Sequence, residues 1–588
     1  VRAILEKRSL QIAGVAACVA GLLAAAIVWK HTWDDSAITL GYSRNLALTG
    51  EVRFGKFGER VEGCTTFLWM IVGAGICELF QQPERVLDAT KVACAGLYLL
   101  NAFLLDRLAR ALGLSLRGRA VMVVLFALSA ISIVSIADAM ENHLFLFLHL
   151  AAALLWIRLR RGSAGADPWL LGLVMAGLLL CRPEGVFVGL ALLVAIPFES
   201  PDAHRRAFVV RILGALSIGA VAFGALLLWR HQTFGVLVTN SVLAKRWTPY
   251  SATGAARITG GLRDIAHFFV AAVLPLAPFG LAAAAMDAPS RARLLRALRA
   301  VARENVAFVV CIACYVAFFF VTGVVSGTKN RVVLSVIPFV WCLLGAAYER
   351  ASIVLTPRLT RVAVASAVVL FAGAQGLYFF RYVTMEVTVD NILNRASPVA
   401  ELARLSGDRA PWRIALPDVG GPLLWWGEKV ELVDTALLNE SASARSGWGA
   451  LQPVLFDRNP PDAILTHDLW TPLAGLDHSE YFHAHYAKVR INDQLVFLRD
   501  DRIHALVAAP PSQVTVDEAG PMLAGIRDDT LIDEPCVLHL TVPGHDVPGP
   551  EWPQPRPDQD QDQDQDQGAA ALMQGPSRWS APSSHNAP

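Results

Sequence analysis

Twelve apolar stretches punctuate the first two-thirds of the chain, near residues 10–29, 64–80, 91–105, 120–136, 143–157, 168–181, 184–198, 207–229, 266–286, 305–322, 332–348 and 362–380. About 20 apolar residues in a helix span a hydrocarbon core of about 30 Å, so the pattern predicts a bundle of bilayer-crossing helices. Arginine is concentrated in the connections holding Arg107, Arg110, Arg117 and Arg119; Arg158, Arg160 and Arg161; Arg205 and Arg206; Arg291, Arg293, Arg296, Arg299 and Arg303; and Arg350 and Arg358. With Arg2, Lys7 and Arg8 these read as the cytoplasmic side. Counting every run as a crossing would put the 107–119 connection outside. The conflict disappears if 64–80, a short run with Gly73, Gly75 and Glu78, lies along the interface or re-enters. About eleven spans then remain, with everything after about 381 outside, and the short runs 168–181 and 184–198 are the weakest pair in the count. The first run is laid out like a signal peptide, but its length and the lack of a small-x-small exit predict a retained anchor.

Beyond Arg381 the period changes to two. Trp412-Arg-Ile-Ala-Leu, Glu428-Lys-Val-Glu-Leu-Val, Asp462-Ala-Ile-Leu-Thr and Gln494-Leu-Val-Phe-Leu, separated by Gly, Pro and Asp, predict strands. The expected organisation is a mostly α, polytopic membrane region over 1–380 with an external loop at 30–90, a soluble α/β cap over 381–545 on the external side, and a disordered tail over 546–588. That tail is rich in Pro and carries an Asp-Gln repeat at 558–567, too polar to bury a core.

Composition agrees with a membrane protein and removes alternatives. The chain is 54% hydrophobic and 17% charged with a formal net charge of +1, which gives no reason to expect a nucleic-acid partner. There is no zinc-type Cys/His spacing, and most of the nine Cys lie inside apolar runs, where a thiol behaves as a small hydrophobe.

The candidate chemistry collects at the external ends of the runs. Asp34 and Asp35 follow the first run and open a segment that reads as an amphipathic helix. One acid suffices to cap that helix. A second is left as a general base toward an acceptor hydroxyl, or as a ligand for a hard divalent cation such as Mg, Mn or Ca. Glu141 and Glu184 sit at span ends, where a carboxylate faces a cavity or a partner. Arg182 either braces the Pro183 break by pairing with Glu184 or grips an anionic substrate. Lys245, in the loop with Asn240, and Arg331 are interfacial anchors or ligands of a lipid phosphate. In the cap, Asp418 and Asp434 follow strands, as turn residues or acceptor ligands, while Trp425 and Trp426 are core residues or stacking platforms for a sugar.

One ordered set of residues resembles a known family. Asp34-Asp35…Ile38-Thr39…Tyr42…Arg44-Asn45-Leu46, then Gly58-Glu59-Arg60-Val61-Glu62-Gly63…Thr65-Thr66…Leu68-Trp69, is similar to the first-loop signature of bacterial GT-C membrane glycosyltransferases typified by the mycobacterial terminal β-(1→2)-arabinofuranosyltransferase. Met140-Glu141, Arg182-Pro183-Glu184-Gly185, Phe234-Gly235…Asn240-Ser241…Ala244-Lys245, Asn330-Arg331…Pro338 and Asp418…Gly420 with Asp434…Leu437 continue it over about 10–470. The resemblance implies a GT-C fold in a bacterial inner membrane, with active site and cap on the periplasmic side. It implies transfer of a sugar, above all arabinofuranose, from a polyprenyl-phosphate donor to a glycan, lipid or protein acceptor. Asp34 and Asp35 would be the acidic pair beside the acceptor, Arg182, Asn240, Lys245 and Arg331 would hold the donor phosphate, and Arg44, Glu59, Arg60, Glu62, Glu141 and Glu184 would support the site. The sequence departs from that pattern at Asn142 and Cys181, where Thr is usual, and at Val238-Thr239, where Leu-Pro is common; these bear on donor or acceptor identity. A flippase of lipid-linked sugar is the rival, and it predicts polar groups in both leaflets and an internal repeat, neither visible here. An enzyme relic serving as a periplasmic binding protein is the third reading.

Overall fold

The first apolar run folds as α1 (Arg2–Ile27), and a turn at His31-Thr32-Trp33 leads into α2 (Asp34–Thr49). The computed structural model describes residues 2–518, 536 and 538–542, apart from 164, 202–203, 248, 250–253, 286–287, 323–332, 352–355, 385–387, 409, 458 and 468–469. Arg331 and the tail expected at 546–588 lie outside the described residues. The helices continue as α3 (Phe67–Leu79), α4 (Pro83–Ala111), α5 (Leu116–Ala127), α6 (Ala130–Ala137), α7 (Asn142–Arg160), α8 (Asp167–Cys181) and α9 (Val186–Glu199). Next come α10 (Arg205–Phe234), α11 (Asn240–Ala244), α12 (Gly254–Ala272), α13 (Ala277–Ala284), α14 (Ala288–Glu304), α15 (Val306–Thr322), and the Ile337–Arg350 and Pro357–Val383 helices.

Among the described residues, six helices are long and apolar enough to cross a membrane, or up to eight if each of two bent pairs is one span. The other expected crossings fall on shorter helices. α8 and α9, of 15 and 14 residues, are parted at Arg182-Pro183. Proline drives the residue before it out of the helical region, and Arg182 accordingly stands at φ −152, ψ 142. α3, with 13 residues, is about 20 Å long, short of the hydrocarbon thickness. Exposed aliphatics such as Val221 and Val369 form the lipid-facing belt.

α2 departs from the amphipathic helix expected of it. Ala37, Leu40, Tyr42 and Ser43 are fully buried although they point to different sides, because α2 is enclosed by α3 and by the Gly420–Trp426 and Val389–Leu405 helices. Its N-cap position is Trp33, with no side-chain capping bond, so neither Asp caps α2 in the expected way.

The cap holds a seven-stranded sheet in the order β2-β1-β3-β5-β4-β7-β6. The strands are β1 (Arg413–Leu416), β2 (Glu431–Asp434), β3 (Ala463–Ile464), β4 (Tyr486–Ile491), β5 (Gln494–Arg499), β6 (Thr515–Glu518) and β7 (Leu538–Thr541). Four match the alternating runs; β4, β6 and β7 were not expected. β1 pairs in parallel with β2 and β3 on its two sides, so the connections leaving β1 and β2 diverge at the carboxyl end of β1. Such a point in an α/β sheet is where a crevice forms.

The cap's apolar core runs on into the first loop, joining Ile38, Tyr42, Phe54 and Val61 to Val399, Leu416, Leu423 and Leu498. Residues Val1–Val542 accordingly form one compact unit. Inside it, Arg230 at the end of α10 forks onto Glu62 of the loop, at 2.6 and 2.8 Å, with both residues buried. Removing one partner of such a pair strands a charge. We expect Glu62→Ala to cost about 3–5 kcal/mol, read as a fall in the midpoint of thermal unfolding in detergent, and the Glu62→Gln, Arg230→Met double variant to lose less.

Candidate active site

The carboxyl end of β1 faces α2. Pro417, Asp418 and Val419 lead from β1 into the Gly420–Trp426 helix, whose first amides face the Asp34 carboxylate. Gly420 N–H donates to Asp34 Oδ2 at 2.8 Å and Gly421 N–H to Oδ1 at 2.7 Å. The carboxyl oxygens thus meet the leading N–H donors of another helix, not those of their own. The approach is close enough that a Cβ on Gly420 would stand 2.1 Å from the Asp34 carbonyl oxygen, and one on Gly41 2.5 Å from Leu423 Cγ. Burial, then the neighbouring Asp418, pushes the Asp34 carboxyl up to about 8 against the pull of the two amides. Asp35, on the same turn of α2, is only half-buried.

Asp418 lies 3.1 Å from His467 Nε2, in the loop after β3. Asp434 ends β2 fully buried and accepts from Ala436 N–H at 2.7 Å, Asn439 N–H at 2.9 Å and Asn439 Nδ2 at 2.7 Å. Burial is the main cause that raises its carboxyl, to about 7. Asn439 in turn accepts from Tyr42 of α2 at 2.8 Å. Asp434 is therefore a loop organiser, and through Asn439 it ties the cap to α2. Leu437 in that loop holds φ 69, a conformation costly for a branched residue and kept by the same hydrogen bonds.

On the membrane side, the turn between α6 and α7 is tightened by Ala139 at φ 55, whose carbonyl accepts from Trp69 Nε1 at 3.1 Å. That turn presents Glu141 to Arg182, which also bonds Glu184 at 2.9 Å. Arg182 is thus shared between two carboxylates. Lys245, exposed at the end of α11, contributes to the field at Glu184. Asn240 donates from Nδ2 to Leu438 O at 3.0 Å and from its backbone to Glu62 O at 2.9 Å, fastening α11 to the loop after β2. Segments about 40 to 200 residues apart in sequence converge here, because the ends of α6, α8 and α10 and the loop after β2 face one another.

No protein-family profile and no curated protein matches the chain. Solved structures do. ArnT from Cupriavidus metallidurans in the apo state aligns at 14% identity and TM-score 0.54, over 82% of this chain and 97% of that one. The same enzyme bound to undecaprenyl phosphate aligns at 15% and 0.50, over 74% and 87%. An Archaeoglobus fulgidus oligosaccharyltransferase, in complex with an inhibitory peptide and a dolichol-phosphate, aligns at 10% identity and TM-score 0.47, over 81% of this chain and 72% of that one. ArnT is a GT-C glycosyltransferase.

The chain has the GT-C fold. Within it each of the remaining candidates contacts other parts of the protein. Arg44 donates to Leu424 O at 2.9 Å and pairs with Glu428 at 2.5 Å. Glu59 accepts from Ser441 N–H at 3.0 Å, and Arg60 pairs with Glu51. Trp425, half-buried, donates to Glu84 at 2.6 Å, and Trp426 packs against the cap core, so both lean on protein.

Sequence reasoning passed over several polar residues near this candidate site. Lys91, in α4, is buried, in the field of Asp88, Asp390 and Asp138. Tyr382 donates to Asp138 at 2.7 Å. Lys91 opens an apolar run and Tyr382 follows one, and a polar group at the mouth of a span was the available signal. His467 carried none, since only the β1–β3 pairing brings it to Asp418. Among the described residues no group of three or more His, Cys, Asp or Glu is placed to hold a metal. A cation at the acidic pair would draw on Asp35, both Asp34 oxygens being engaged by amides.

The raised Asp34 pKa sets a pH dependence. Between 3.8 and about 8 the folded chain holds a proton that the unfolded chain has released. This group's contribution to stability therefore falls as pH climbs through that window, by at most about 1.4 kcal/mol per pH unit. We expect the thermal unfolding midpoint of wild type, taken relative to that of Asp34→Asn at each pH, to fall from pH 5 to 8. A relative midpoint that stays level or rises would contradict the assignment.

Proposed function

We propose that this chain is a glycosyltransferase of the bacterial inner membrane that takes a sugar, above all arabinofuranose, from a decaprenyl- or undecaprenyl-phosphate donor. It passes that sugar to a cell-envelope glycan, or to a lipid or protein acceptor, on the periplasmic face. The reading is carried by the division of the acidic pair inside a GT-C fold: both oxygens of Asp34 lie on Gly420 and Gly421, while Asp35 beside it remains half-exposed.

In the proposed reaction the acceptor hydroxyl attacks the anomeric carbon, the bond from that carbon to the phosphate oxygen breaks, and the hydroxyl proton passes to Asp35. The polyprenyl phosphate departs with the bonding pair. A phosphate is already a competent leaving group, so the protein's work is orientation and charge stabilisation. Lys245, Arg182, Asn240 and Arg331 are the groups we assign to the phosphate; Glu141 and Glu184 hold Arg182 in place. A divalent cation, if used, would supply further charge neutralisation beside Asp35.

The test is transfer by purified protein in detergent, with synthetic polyprenyl-phosphate arabinofuranose, a panel of glycan acceptors, and parallel reactions with EDTA. We expect Asp35→Asn to keep the wild-type unfolding midpoint and to lose about 100-fold or more in rate, the scale of general-base catalysis. Undiminished transfer by the folded variant would remove Asp35 from the chemistry. A wild type that fails to bind the donor would remove the pentose assignment.

A further inference from the structure

Three helices that begin or pass at the candidate site have their other ends at a second polar centre. α7 starts one residue after Glu141 and ends at Arg160; α9 starts two residues after Glu184 and ends at Glu199. α15 starts beside Glu199, whose Oε1 accepts Ala307 N–H at 2.8 Å, and carries Tyr315, whose hydroxyl lies 3.4 Å from Glu184 O. With 19 residues in α7, the two centres are about 28 Å apart along that helix, the depth of a hydrocarbon core. A bilayer around α7 would place them at its opposite faces.

At this second face the ends of α4, α7, α9 and α14 surround a cavity of about 490 Å³, within the range of ligand sites. Its polar lining is Arg160, Arg161, Arg350, Glu199, Glu304 and Asn305. The two carboxylates are engaged. Glu199 accepts from Trp156 Nε1 at 2.8 Å and pairs with Arg160 at 2.6 Å, and Glu304 pairs with Arg350 at 2.8 Å. Each guanidinium carries five N–H donors. Arg161 donates from Nη2 to Ala111 O at 2.7 Å, Arg350 uses Nη1 on Glu304, and Arg160 uses Nη1 on Glu199 and Glu304 O. The other nitrogens of these forks remain for a ligand, and three cations face two acids.

α14 supplies an independent observation. It meets α15 at 91°, so it lies across the direction of that span. Ser290, Ala297 and Val301 are buried, while Arg291, Arg293, Arg296, Arg299 and Arg303 are exposed. A basic amphipathic helix in that attitude belongs at the headgroup layer, where anionic lipids collect. Its last residues, Val301 and Glu304, open into the cavity.

We propose that this cavity binds the phosphate of an anionic phospholipid headgroup, in the leaflet opposite the candidate active site, with Arg161 and Arg350 as its principal ligands. A fork of N–H donors matches phosphate oxygens in pairs, and the helix ends set the cavity at headgroup depth. Bound there, the lipid would join α14 to α7 and α9 and fix how deeply the bundle sits.

The full chain in a neutral maltoside detergent is titrated by calorimetry with dihexanoyl phosphatidylglycerol, with dihexanoyl phosphatidylcholine as control, and with inorganic phosphate. We expect saturable binding of the glycerol lipid, at least tenfold weaker binding of the choline lipid, and at least tenfold weakening in Arg161→Gln/Arg350→Gln. Arg161→Gln alone, at an exposed position, serves if the double variant fails to reach the wild-type unfolding midpoint, and it should weaken binding at least threefold. Absence of saturable binding by wild type, or equal affinity in wild type and a folded variant, overturns the proposal. Inorganic phosphate binding as tightly as the lipid would make the ligand a soluble anion and overturn the lipid assignment.

Discussion

A carboxylate taken out of water needs hydrogen bonds in the same place, and the two amides opening the Gly420–Trp426 helix provide them for Asp34. That contact joins residues 386 and 387 apart in sequence. It holds α2, and with it the loop that follows, against the switch point of the cap sheet. The glycines on both sides, Gly41 and Gly420, allow the approach. Tyr42 with Asn439, Arg44 with Glu428, and Glu59 with Ser441 then repeat the same tie along α2 and the loop after it. The cap is consequently a wall of the site, fixed in place by the loop that carries the acidic pair.

The membrane side meets the same demand with ions in place of amides. Arg182 pairs with Glu141 and Glu184, and Arg230 with Glu62. Each pair sits where a span ends, where the cost of desolvating a charge is partly relieved by nearby water and partly by its partner. Such pairs contribute little net stability relative to apolar replacements, and their effect is to specify geometry. They hold the α6–α7 turn against the α8–α9 break and α10 against the first loop.

The two faces of the bundle therefore carry different chemistry. One has acids divided between structural and accessible roles, with cations alongside. The other has arginine forks around a cavity at the end of α7 and an interfacial basic helix. In the proposed arrangement the first face handles substrates and the second holds the bundle at a defined depth.

Much was legible along the chain. Apolar runs with arginine-rich connections determine a polytopic helical protein, because lipid leaves the backbone no partner but itself. The change to period two after Arg381 determines a sheet-bearing cap, and the Asp34-Asp35 pair marks the loop on which the two parts meet. Short-range signals of this kind depend on neighbours three, four or two residues away. What they could not carry was the partition of the pair: the same two residues read as N-cap and base, and only tertiary packing sent Asp34 to the amides of Gly420 and Gly421. The pairing of Arg182 with Glu141 beyond the Glu184 partner legible in sequence, the place of His467 and the engagement of Trp425 with Glu84 were decided in the same way. Each rests on a contact between segments about 40 to 400 residues apart, and hydropathy along a chain holds no information about which span ends will face each other.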